Sequence, residues 1–209
     1  MFNRSLQLLG SLAAAAALFA SGSALAESTY GYNAAGAGPV SATAKVNVQV
    51  SVPLLILLRV GVDNTAVDTV AFASTPTIPG GPGTLVGGSS QAGGWSGAAP
   101  TFATTATNAT LLASAWTNAS NNGQLSCAVT TAFPAASGLT SANITVTSAT
   151  VGGTGLAHPG ANTACGTNVG IPRNVVQSSN WTYGLTGAIA ATAAAGTVTE
   201  TVTYTAVTL

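Results

Sequence analysis

From Val40 to Val52 every even position is apolar: Val40, Ala42, Ala44, Val46, Val48, Val50 and Val52. Every odd position between them is polar: Ser41, Thr43, Lys45, Asn47, Gln49 and Ser51. A period of two is the pattern of a β-strand with one buried and one wet face. Helical spacing would scatter the valines around a cylinder, and β-branching favours the pleated surface. At about 3.3 Å per residue the strand would be roughly 43 Å long. Typical strands have about 5–6 residues, so this one either crosses between sheets or reaches beyond its own domain. The even register extends back through Tyr30, Tyr32 and Ala34, with Gly36 and Gly38 keeping step.

Pro53 interrupts the ladder. The run Leu54–Gly61, apolar but for Arg59, then predicts a strand buried on both faces. Asp63-Asn64 predicts a turn, and Ala66–Phe72 a short strand. Thr75–Gly97 is too dense in Pro and Gly to hold an element, so a long loop is expected, with Trp95 near its end. Thr101–Trp116 is open between strand and a helical turn or two. Asn121-Asn122-Gly123 signals a tight turn. Strands are expected over Gln124–Thr131, with Leu125, Cys127 and Val129 on one face, and over Ala142–Val151. Gly152–Ile171 reads as a second loop. Trp181, Tyr183 and Leu185 share one strand face, and Trp181 is expected in the core. Gly196 opens the last strand, with Val198, Val202, Tyr204 and Ala206 on one side and threonines on the other. About eight short strands between Gly/Pro/Asn turns, without convincing helices, predict an all-β, immunoglobulin-like sandwich.

The chain has 209 residues, of which 4% are charged, against about a quarter in an ordinary domain. Residues 1–26 read as a cleaved signal peptide: Arg4, an apolar run from Leu6 to Ala20, then Ala24-Leu25-Ala26 as a small-x-small cleavage site. That run is shorter than the roughly 20 residues needed to cross a bilayer, and no membrane span is expected in the mature chain. The expected organisation is a flexible extension at 27–39, a possible donor strand, followed by a single domain at 40–209. After the signal, the cations are Lys45, Arg59 and Arg173 and the carboxylates Glu27, Asp63, Asp68 and Glu200. Three scattered cations do not neutralise a phosphate backbone, which argues against a nucleic-acid partner.

One His and four carboxylates leave few proton carriers, so an enzyme is not expected. His158 is the one candidate base, but no nucleophile–base–acid set can be assembled around it, and it reads as a solvated loop residue. Asp63 and Asp68 lack calcium-loop spacing and read as turn residues. The Gly-rich stretches lack the Lys of a phosphate loop. No catalytic, cofactor or metal residue is assigned. Glu200 falls in register on an apolar face, so it needs Lys45, Arg59 or Arg173 as a partner, a bulge, or a place at the strand rim. Cys127 and Cys165 are the only cysteines. In an exported chain they predict one disulfide, closing a loop of about 38 residues.

The end of the chain resembles a bacterial pilin of the chaperone–usher type. Gly196 stands fourteenth from the C-terminus, and Val202, Tyr204 and Ala206 stand eighth, sixth and fourth. Thr208 replaces the family's penultimate Tyr. Gly196–Val202 is also similar to the last strand of spore-coat-U-like secreted domains. The resemblance implies a fibre subunit completed by a strand from its neighbour, a periplasmic chaperone or outer-membrane assembly protein as partner, and export through the periplasm to a surface or extracellular fibre. The subunit contact would comprise Tyr30, Tyr32, Val46, Val48, Val50, Val52, Val202 and Tyr204. The alternative is a monomeric carbohydrate-binding or adhesive module using Trp95.

Overall fold

The computed structural model describes residues 27–62 and 65–209. The expected signal peptide at 1–26 and the expected turn at Asp63-Asn64 therefore lie outside the described residues. The chain divides into two units at Val52/Pro53.

The second unit is all-β. Its strands are β1 Ile56–Val60, β2 Ala71–Thr77, β3 Thr101–Thr107, β4 Thr110–Thr117, β5 Gly123–Thr131, β6 Thr145–Thr150, β7 Val169–Ile171, β8 Gln177–Gly184 and β9 Thr201–Thr208. They form three antiparallel sheets, in the orders β1-β4-β8-β6, β2-β3 and β7-β5-β9. Among the described residues the one α-helix, α1, is a single turn at Gly187–Ala190. Among the described residues no helix is long and apolar enough to cross a membrane.

The open Thr101–Trp116 segment resolves into two strands on different sheets. Asn108, at φ 54°, makes the corner, a conformation that Asn tolerates better than most residues. The short strand expected at Ala66–Phe72 lies further on, at Ala71–Thr77. The Asn121-Asn122-Gly123 signal is a turn, with Asn122 at φ 69°. Gly123 follows where an added Cβ would sit 3.0 Å from the Val207 carbonyl and 3.3 Å from Ile56. Only a residue without a side chain lets β5 approach β9 and β1 so closely.

Alternation places the core. β4 turns Leu111, Ala113 and Ala115 inward, β8 Trp181 and Tyr183, and β6 Val146. Leu125 of β5 and Ile171 of β7 meet them from the three-stranded sheet, with Tyr204 and Ala206 of β9 half-buried beside them. Trp181, Leu125 and Ile171 are wholly buried.

Two apolar segments depart from expectation. Leu54–Gly61 is not buried on both faces: Ile56, Leu58 and Val60 pack on the core, while Leu55 and Leu57 are about half exposed. β1 is the outer strand of its sheet and buries only the face that carries Ile56, Leu58 and Val60. Its start is pinned by Asn118, whose Oδ1 accepts from the Leu55 amide and whose Nδ2 donates to the Pro53 carbonyl. Val40–Val52 forms no strand at all. Val46, Val48, Val50 and Val52 are 73–84% exposed. In this first unit Thr29 donates to the Thr43 carbonyl and the Lys45 amide to Glu27, so residues 27–31 run beside 41–45. The alternating pattern is present, but no sheet pairs with it.

Candidate functional site

The predicted disulfide is formed, with Cys127 and Cys165 at a Cα separation of 5.7 Å. Cys127 lies on β5 opposite Tyr204 of β9. Cys165 lies within the 152–168 segment, which is exposed at its ends but enters the core in its middle. Leu156 and Pro159 are fully buried, and His158 and Thr163 nearly so. Hydrogen bonds bring the segment into the core: the Leu156 amide donates to Ser179 Oγ of β8, and the His158 amide to Ser148 Oγ of β6. Trp181 Nε1 donates to the Leu156 carbonyl at 2.8 Å.

The expectation of a solvated His158 is therefore corrected: the side chain is 5% exposed. Burial of an imidazole is tolerable when both ring nitrogens are satisfied. Nδ1 lies 2.8 Å from the Gly160 carbonyl, which only accepts, so Nδ1 carries the proton. Nε2 then accepts from the Tyr204 hydroxyl at 2.8 Å. Tyr204 in turn accepts from Tyr183 at 3.0 Å. The chain of donors runs Tyr183 to Tyr204 to His158 to Gly160, from β8 through β9 into the segment. The His158 ring stands edge-on to Trp181, with ring centres 4.9 Å apart. Desolvation pulls the His158 pKa below its usual value, opposed by the Gly160 hydrogen bond. Burial raises both phenols; for Tyr204 the neighbouring Tyr183 and Glu200 push the same way.

Gly160 is required by this geometry. It adopts φ 145°, and an added Cβ would lie 2.8 Å from the Cys165 carbonyl. Glu200 sits at the rim, one residue before β9. Its partners are hydroxyls: Ser141 donates to Oε2 at 2.6 Å and Thr163 to Oε1. Among the described residues no group of three His, Cys, Asp or Glu side chains could hold a metal ion. Both sulfurs are bonded to each other and both imidazole nitrogens face inward, which makes this cluster a clamp between sheets.

The residues expected at a subunit contact separate into two groups. Tyr30, Tyr32, Val46, Val48, Val50 and Val52 are all strongly exposed in the first unit. Val202 and Tyr204 are half-buried in β9, and the Tyr204 hydroxyl is committed to the internal chain. Trp95 is 63% exposed and donates to the Ala98 carbonyl within its own loop. β1 and β9 are each the outer strand of a sheet, and the two lie against each other.

The His–Tyr–Tyr chain escapes a search for catalytic triads. A signal was nonetheless legible: Tyr183 and Tyr204 fall on inward positions, and a buried phenol needs a partner. Comparison of the chain with protein-family models, with curated proteins and with solved structures gives no match.

Proposed function

We propose that the chain is the structural subunit of an extracellular or cell-surface fibre, in which the valine-bearing segment of one copy adds a strand to an immunoglobulin-like, pilin-like sandwich of the next. One observation carries this reading. Val46, Val48, Val50 and Val52 form an unbroken alternating row and stand 73–84% exposed. A row of this kind gains little as a monomer and much against a sheet edge. Main-chain hydrogen bonds supply affinity there, and alternate side chains fill pockets. Burying four valines is worth roughly 6 kcal/mol or more before the costs of association. The acceptor in this reading is the outer strand β9 or β1, where Leu55, Leu57 and Val207 are partly exposed. Tyr30 and Tyr32 extend the same row as large anchors. Near-zero net charge removes the repulsion that keeps copies apart. A segment so apolar calls for a periplasmic chaperone or outer-membrane assembly protein during export.

The exposed Trp95 supports the second reading, a monomeric module that stacks an aromatic ring on sugar. The two are separated by the oligomeric state of the purified mature chain. The test compares the full mature chain, truncations beginning at Val40 and at Pro53, and a V48D/V50D variant by size-exclusion chromatography and electron microscopy. Fibres from the full chain, lost in V48D/V50D and in the Pro53 truncation, are expected. The Val40 truncation reads out whether Tyr30 and Tyr32 are needed. Fibres of normal length from V48D/V50D would overturn the strand-donor reading.

A further inference from the structure

His158 is the only imidazole in the chain, and it joins three parts of the second unit. It lies in the disulfide-anchored segment, bonds Tyr204 of β9, and stacks against Trp181 of β8. With the ring neutral, the hydrogen bonds around it take one set of directions. The Gly160 carbonyl requires a proton on Nδ1, so Nε2 must accept, and Tyr204 must donate to it. A protonated ring would keep the Gly160 bond but reverse the bond between Nε2 and Tyr204.

We propose that His158 is an acid-sensitive latch, which holds β9 and the 156–165 segment against β8 when neutral and releases them when protonated. A proton taken from solvent by Nε2 turns that nitrogen into a donor. Tyr204 must then accept from it and turn its own hydrogen away, and Tyr183 must yield in sequence. The result is a buried cation whose partners are a carbonyl and a phenol. The groups facing it offer little compensation. From β8 these are Trp181 and Tyr183, from β9 Tyr204, and from β6 the Ser148 hydroxyl at its amide. The nearby charge is Glu200, which acts on Tyr204 and is engaged by two hydroxyls. Buried, the ring titrates below the value it has in the unfolded chain. The unfolded state therefore binds the proton first as pH falls. Stability is full above about pH 6.5, the value for an exposed imidazole. It declines from there toward the folded-state pKa and levels off below it.

The test uses the untagged full mature chain, so that His158 gives the one imidazole signal. Long-range nitrogen NMR at pH 8 should show the Nδ1–H tautomer, and the ring should titrate below 6.5. Urea unfolding from pH 7 to pH 5 should show the folding constant falling tenfold for each unit that the measured pKa lies below the unfolded value. Amide exchange should rise first in β9 and residues 156–165. H158Q and H158N, which cannot be protonated in this range, should lose the pH dependence. An Nε2–H tautomer, a titration at or above 6.5, or an unchanged pH dependence in a folded H158 variant would overturn the proposal. If neither variant folds, the tautomer and the titration of the wild-type ring still decide it. None of these outcomes depends on fibre formation, so failure here leaves the strand-donor reading standing.

Discussion

Replacing both Cys127 and Cys165 by Ala should destabilise the second unit by about 4 kcal/mol, most of it through the unfolded state. The magnitude follows from the loop. The two sulfurs close a separation of 38 residues, and the chain-entropy relation gives about 4 kcal/mol for a loop of that length at 25 °C. Native-state losses should be small, because the segment has other ties. The Leu156 and His158 amides are held by Ser179 and Ser148, and Thr163 bonds the Ser141 carbonyl and the Ile144 backbone. Both cysteines are only half-buried, so their truncation leaves no large cavity. Guanidinium unfolding followed by Trp181 fluorescence measures the loss. The double variant should shift to a lower midpoint with a steeper slope, since the uncrosslinked unfolded chain exposes more surface. Its near-ultraviolet circular dichroism should match the parent. A loss below about 1 kcal/mol with an unchanged slope would refute the unfolded-state mechanism. Collapse of the near-ultraviolet signal would show that the bond, not the hydrogen bonds, keeps the segment in the core.

Further substitutions probe the same clamp. Gly160→Ala forces a Cβ to within 2.8 Å of the Cys165 carbonyl at φ 145°, and should cost about 1–3 kcal/mol in urea unfolding. Tyr204→Phe strands both the His158 Nε2 acceptor and the Tyr183 hydroxyl, at about 1–3 kcal/mol. Tyr183→Phe removes only the outermost donor and should cost less, so equal losses for the two would contradict the direction assigned to the chain.

Much of the β architecture is readable from the chain alone. The inward row Leu125, Cys127 and Val129, the core position of Trp181, and the turn at Asn122 follow from local rules of alternation and backbone conformation. The disulfide follows from two cysteines in a chain expected to be exported. These depend on each residue and its near neighbours. Strand order does not: β1 pairs with β4 and β4 with β8 across long separations, and alternation does not identify the partner. The same limit explains Val40–Val52. A period of two reports which face a strand would bury, whereas the sheet that buries it must come from elsewhere. His158 shows the reverse case. A Gly-rich, Pro-containing segment reads as a solvated loop. Its entry into the core depends on hydrogen bonds to Ser148, Ser179 and, 46 positions further along the chain, Tyr204. Composition and period determined that this chain makes sheets with one polar and one apolar face. Tertiary structure decided which polar groups could enter the core, because a buried donor or acceptor is tolerated only where a distant partner meets it.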